Sequence, residues 1–272
     1  MEKVILFGAG NIGRGFLGQL FNQSGYEINF VEAREDIINA LNRYHSYKLK
    51  IVGPHSYNEF IIDKVKALNS NEPTKIEEEI EKANIMATAV GAKNLPFIAP
   101  LIAKGMALRA KKEVKELINL IICENLPEPA KTFKKYLKKE IEEDYKNYLD
   151  SHLGLVEAVV SRMVPIIPPD VQKKDPTFIM AEEFSELPVD KKGFKGVIPK
   201  IKGIIPYENL FAYEERKLFT HNAGHAICAY LGYLKNYKYI WEAIEDEKIY
   251  KIVRGALKET GEALIKKHKF KK

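Results

Sequence analysis

Cysteine is scarce in this sequence: Cys123 and Cys228 are the only two among 272 residues. Two thiols so far apart build no disulfide framework and fit a reducing compartment. No apolar run approaches the ~18–20 residues that a membrane span needs. The opening Met1-Glu2-Lys3 does not begin the basic start, apolar middle and small-residue cleavage site of a secretory signal. Glycine (17) and proline (13) are too few for a collagen-like or low-complexity chain. These absences predict a cytoplasmic protein without a membrane partner. What is present is ordinary globular composition, 46% hydrophobic and 29% charged, with length for about two domains.

The net charge of +6 is unevenly placed, because five of the last seven residues, from Lys266 to Lys272, are lysines. With no recognition motif beside it, that run predicts a solvated, frayed tail and no nucleic-acid partner. Elsewhere acids and bases interleave, and the mild positive balance favours the approach of a phosphorylated substrate.

The sharpest local pattern is at the start. Lys3-Val4-Ile5-Leu6-Phe7 is apolar without polar alternation, as in a strand buried on both faces of a parallel sheet. A glycine turn follows, then Ile12, Phe16, Leu17 and Leu20 at helical spacing, then a second strand over Glu27–Val31 that ends at Glu32. This is one βαβ unit. Further strands are predicted over 83–90 and 117–122, and one covering helix over 128–150. Extra strands over 156–164, 177–184 and 196–199 are expected to extend the sheet. The fold class predicted is therefore α/β, a doubly wound Rossmann-type sheet with extra strands over 1–205, followed by an all-helical domain over 206–272.

Gly8-Ala9-Gly10-Asn11-Ile12-Gly13 follows a strand and opens a helix, the setting in which G-x-G-x-x-G binds a dinucleotide. Gly8 permits the tight turn, Gly10 admits a pyrophosphate to the backbone, and Gly13 packs the helix on the sheet. Glu32 ends the next strand, where a carboxylate bonds the adenosine ribose and repels a 2′-phosphate. NAD is thus the cofactor expected, with Arg34 close enough to soften the preference. Thr88, Val90 and Gly91, at the end of a later strand, are expected beside the nicotinamide half.

A second cluster runs from Glu214 to His225. At about 100° per residue, Lys217, His221 and His225 advance by about 40° each, and Asn222 falls on the same broad arc. Hydride transfer from an alcohol needs a base for the hydroxyl proton and donors that hold the oxygen as charge develops. A desolvated lysine, carboxamides and a histidine supply those groups. Gly224 on this arc leaves bare backbone for a substrate or for tight helix packing. A zinc reading of His221 and His225 lacks the glutamate of H-E-x-x-H, whose place Asn222 takes, and lacks a third ligand, so no metal is expected.

The pattern K-x4-N-x2-H, matched by Lys217, Asn222 and His225, resembles the signature of the polyol-specific long-chain dehydrogenase/reductase family. So do the stretches FGAGNIGRGF (7–16), ALNRYHSY (40–47), TAVG (88–91), IICEN (121–125), EFSELPVDK (183–191) and ENLFAYEERKLFTHNAGHAICAYLG (208–232). The resemblance implies Lys217 as general base, Asn222 and Asn125 as the pair gripping the oxyanion, and His225 as the group positioning the reactants. It implies a metal-free, NAD-dependent interconversion of D-mannitol 1-phosphate and D-fructose 6-phosphate by a monomer. Hexuronate reduction, oxidation of a free polyol, or dinucleotide binding without catalysis are the alternatives. Ser161 stands where relatives usually carry aspartate and Leu187 where an aromatic is common. Family members continue beyond the position of Lys272, which makes the helical domain incomplete by that comparison. Arg14, His45, Lys93, Arg162, Arg216 and Lys217 remain open as holders of the substrate phosphate.

Overall fold

A computed structural model of the protein describes residues 1–53 and 56–270. The strands are β1 (Lys3–Phe7), β2 (Glu27–Glu32), β3 (Ser46–Val52), β4 (Tyr57–Asp63), β5 (Val65–Asn69), β6 (Ile85–Thr88), β7 (Ile118–Ile122), β8 (Leu153–Glu157), β9 (Ile179–Glu182), β10 (Leu187–Asp190) and β11 (Ile204–Tyr207). The helices among them are α1 (Gly18–Asn22), α2 (Glu35–Tyr44), α3 (Pro73–Lys82), α4 (Leu95–Lys111), α5 (Pro129–Glu140), α6 (Lys146–His152) and α7 (Pro169–Lys174). Then follow α8 (Leu210–Lys217), α9 (Ala223–Leu234), α10 (Ile240–Glu245) and α11 (Glu247–His268).

Six strands form one parallel sheet in the order β5-β2-β1-β6-β7-β8. Its apolar runs alternate between two cores. Val4, Leu6, Ile28 and Phe30 face one side with Phe16, Leu17 and Leu20. Ile5, Phe7, Met86, Leu120 and Ile122 face the other with the apolar side chains of α4. Burial on both faces is why these runs lack polar alternation. The chain winds outward from β1 through β2 to β5, then returns to β6 on the other side. The carboxyl ends of β1 and β6 therefore flank the switch point at which such sheets bind ligands.

The extra strands depart from expectation. Only β8 joins the main sheet; β9 instead pairs with β3 in a three-stranded sheet with β4, and β10 pairs with β11 by itself. The predicted strand over 156–164 ends at Glu157, beyond which Arg162 turns inward, and 196–199 is not a strand. The hairpin β3–β4 went unforeseen because Lys48 and Lys50 interrupt its apolar residues. Tyr47, Leu49 and Ile51 are nevertheless buried on one face. The single helix predicted over 128–150 breaks where Ile141 turns extended and buries its side chain, so that α5 and α6 result.

The chain divides into two compact units between Glu208 and Asn209. A boundary after residue 205 would cut β11. The second unit is helical, with a small core of Cys228, Ala243, Ile249 and Val253. The basic run is not a frayed tail as far as Phe270. Lys266, Lys267 and His268 form the last turn of α11, where positive charge suits the helix dipole. Lys267 and His268 both reach the Glu215 carboxylate, at 2.7 and 2.5 Å, and Phe270 packs edge-on to Tyr213. Lys271 and Lys272 lie outside the described residues. Among the described residues no helix is long and apolar enough to cross a membrane.

Candidate functional site

In the first unit the site is built on the turn after β1. Gly8 adopts a left-handed φ of +98°, and a Cβ there would stand 2.5 Å from the Ala89 carbonyl oxygen, so the position requires glycine. A Cβ on Gly13 would overlap the Gly8 carbonyl oxygen. A Cβ on Gly10 would meet nothing within 4 Å; this is the open backbone that a pyrophosphate needs. Past Asn11 and Ile12 the helix opens with a π-helical turn over Gly13–Leu17, and the Asn11 carboxamide donates to the Val164 carbonyl at 3.4 Å. Beneath the turn lies Arg14, almost wholly buried, donating from Nε to the Ala9 carbonyl at 2.5 Å and from Nη1 to that of Pro176 at 3.1 Å. Burial holds its guanidinium below the ordinary arginine range.

The Glu32 carboxylate closes one side of this turn. Its Oε2 accepts from the Ala9 amide at 2.9 Å, and its Oε1 accepts from Ala33 and Arg34 at 2.8 and 3.1 Å. The Arg34 guanidinium pairs with Asp36, at 2.6 and 3.1 Å.

On the other side, Thr88 ends β6 and is buried, and beyond it Val90 and Gly91 form a turn with Gly91 at a φ of +85°. The Val90 amide donates to Oε1 of Glu124 at 2.9 Å, and its carbonyl accepts from Nδ2 of Asn94 at 2.6 Å. Glu124 is 7% exposed. Burial pushes its carboxyl above the usual range, opposed by the hydrogen bond from Val90. The sequence reading singled out Asn125, which is exposed at the end of β7, and passed over Glu124. The available signal resembles the one that marks Glu32: an acid at, or within two residues of, the end of a buried strand.

In the second unit Lys217 ends α8, and a π-helical turn over Leu218–Asn222 separates it from α9. The uniform wheel of the sequence reading therefore fails across this segment, because the π turn inserts residues at a different angle. Such turns recur at functional sites. Lys217 is half-buried, and desolvation holds its amine below the ordinary lysine range. Asn222 closes the π turn. Nδ1 of His225 lies 3.1 Å from the His221 carbonyl oxygen. A carbonyl only accepts, so Nδ1 is the donor in this contact. A Cβ on Gly224 would stand 3.5 Å from Leu257 of α11, an ordinary contact, so helix packing does not by itself require glycine there.

Among the phosphate candidates, Arg14 and Arg162 are spent inside the fold. Arg162 donates to the Glu182 carbonyl at 2.8 Å and to the Gln19 carboxamide at 2.7 Å. His45, Lys93 and Arg216 are exposed, with Arg216 lying over the Tyr213 ring. Among the described residues no three His, Cys, Asp or Glu side chains converge as a metal site would require.

Residues 2–203 match the family model of the mannitol dehydrogenase Rossmann domain, and 209–272 match that of the mannitol dehydrogenase C-terminal domain. Mannitol-1-phosphate 5-dehydrogenases of Buchnera aphidicola subsp. Acyrthosiphon pisum, strains Tuc7 and APS, are each 39% identical over 270 residues. The alignment covers 99% of this chain and 69% of theirs. Among solved structures, a D-mandelate dehydrogenase ternary complex shares the fold with a TM-score of 0.54 at 12% identity, over 96% of this chain and 80% of that one. An octopine dehydrogenase shares it with 0.53 at 14% identity, over 85% and 56%. On both family models and on identity along nearly its whole length, the chain belongs to the mannitol dehydrogenase family.

Proposed function

We propose that the protein is an NAD-dependent polyol-phosphate oxidoreductase that catalyses D-mannitol 1-phosphate + NAD⁺ ⇌ D-fructose 6-phosphate + NADH + H⁺. The observation that carries this reading is the 39% identity to mannitol-1-phosphate 5-dehydrogenases over 99% of the chain. The first unit fits the cofactor: Gly10 is open where a pyrophosphate would lie, and Glu32 is fixed by three backbone amides where the adenosine ribose would lie. Gly8 to Gly13, Glu32, Thr88, Val90 and Gly91 are the residues that would hold it. Bound NAD would supply the hydride acceptor.

The remaining chemistry falls to side chains. Lys217, its amine already disfavoured as a cation by desolvation, takes the hydroxyl proton in oxidation and returns it in reduction. The carboxamides of Asn125 and Asn222 donate to the same oxygen and stabilise charge there. His225, its Nδ1 held on the His221 carbonyl, leaves Nε2 to orient the substrate hydroxyls. None of these roles needs a metal, so the rate is expected to survive exhaustive treatment with a chelator; loss of activity restored by a divalent ion would overturn that part.

The direct test is NADH formation with D-mannitol 1-phosphate, compared with free mannitol and with hexuronate reduction. Turnover of the phosphorylated substrate alone supports the proposal, and preference for either other substrate replaces it. A rise in melting temperature with NADH but no turnover of any of them would leave dinucleotide binding as the function. Glu32→Ala is expected to erode the preference for NAD over NADP by about tenfold, through loss of ribose bonding and of repulsion towards a 2′-phosphate. Ratios of kcat/KM for the two cofactors measure this, and an unchanged ratio would mean that Glu32 does not choose the cofactor.

A further inference from the structure

Strand pairing at the crevice stops abruptly. The Ala89 amide still donates to the Phe7 carbonyl at 2.8 Å, and the Thr88 carbonyl still accepts from the Cys123 amide at 3.0 Å. Val90, next but one after Thr88, has both its backbone N–H and its C=O held by side chains. Glu124, from the end of β7, takes its N–H, and Asn94, from the short turn over Ala92–Asn94, takes its C=O. The Asn94 amide also donates to the Gly91 carbonyl at 2.8 Å, so the turn closes on itself. Val90 is thereby set beside the glycine turn: its Cγ1 lies 3.3 Å from where a Cβ of Gly8 would be.

A carboxylate buried this far is costly unless its hydrogen bonds repay it. Glu124 directs that cost onto a single backbone turn at the carboxyl end of β6, on the side of the switch point away from Glu32. We infer that Glu124 and Asn94 are positioning residues, a two-sided clamp that fixes the Val90–Gly91 turn as the wall against which the nicotinamide half of the cofactor rests. This rests on the NAD reading above and adds two residues to it. Neither side chain acts on the substrate; both act through the Val90 backbone.

The clamp is tested by NADH titration, followed by cofactor fluorescence, on the wild type, Glu124→Ala, Glu124→Gln and Asn94→Ala. Loss of either grip is expected to raise the NADH dissociation constant and the KM for NAD about tenfold, with kcat at saturating NAD changed about twofold or less. Glutamine retains an acceptor oxygen and is expected to recover most of the affinity. Hydrogen exchange at the Val90 amide, slow in the wild type without cofactor, is expected to accelerate in Glu124→Ala. Wild-type affinity in both alanine variants, or a fall in kcat with KM unchanged, would overturn the clamp. So would glutamine failing as badly as alanine. If Glu124→Ala fails to fold by thermal melting, Asn94→Ala decides alone, since it removes the opposite grip from an exposed turn. Absence of NADH binding by the wild type would sink the dinucleotide reading first, and the clamp with it; wild-type binding with unaffected variants sinks the clamp only.

Discussion

Lys217→Ala is expected to lower kcat for D-mannitol 1-phosphate oxidation by about 10²–10⁴-fold, the usual contribution of a positioned general base, while NADH binding stays as in the wild type. The expectation follows from where the amine sits. Desolvation disfavours its charged form, so at neutral pH a larger fraction is free to accept a proton than on an exposed lysine. The sign in pH follows as well. Oxidation needs the neutral amine, so its rate rises with pH and levels off above the lysine's lowered pKa. Reduction needs the ammonium, and its rate falls over the same interval. The alanine variant should retain a small rate from which this titration is missing. Steady-state rates across pH in both directions, with NADH titration alongside, measure all three effects. A variant that keeps the full rate, or one that keeps the pH profile, would remove Lys217 from the chemistry. Arginine at 217 should not rescue the rate, because its guanidinium does not release a proton near neutrality.

The cofactor turn was legible in the sequence because each of its demands is local. A buried strand, three glycines and an acid at the end of the next strand are all set by neighbours within about thirty residues, and the structure closes them with bonds such as Ala9 to Glu32. What could not be read depends on which segments the topology lays side by side, and no local pattern marks that. Glu124 means nothing until the topology lays β7 beside β6 and brings the Val90 amide to it. Arg162 looked like a free cation until the fold turned it onto Gln19 and the Glu182 carbonyl. The pairing of β3 with β9 spans a comparable separation, and the lysines on the exposed face of β3 masked its alternation. The segment from Lys217 to His225 shows a different limit. Its residue types announced chemistry, but a helical wheel assumes uniform pitch, and the π turn over Leu218–Asn222 breaks that assumption.

The glycines of the turn allow affinity and stability to be separated. Gly13→Ala places a methyl group onto the Gly8 carbonyl oxygen, an atom of rigid backbone. Strand or helix must move apart, at a cost of about 3 kcal/mol for overpacking, which in a chain of this size lowers the melting temperature by about 6–12 °C. Cofactor binding suffers with it, because the displaced atoms form the turn itself. Gly10→Ala meets no atom within 4 Å and no left-handed φ, so the apo protein should melt within a degree or two of the wild type. Its methyl group instead occupies the open backbone assigned to the pyrophosphate. Loss of even one charge-assisted hydrogen bond there is expected to weaken NADH at least about tenfold. Thermal melts with and without NADH measure both quantities in one experiment: Gly13→Ala starts low, whereas Gly10→Ala starts at the wild-type temperature and rises less with cofactor than the wild type does. Equal stabilisation of Gly10→Ala and wild type by NADH would mean that the pyrophosphate lies elsewhere. The Gly8–Gly13 turn would then be a packing device, required at Gly8 and Gly13 by the oxygens of Ala89 and Gly8 and serving no ligand at all.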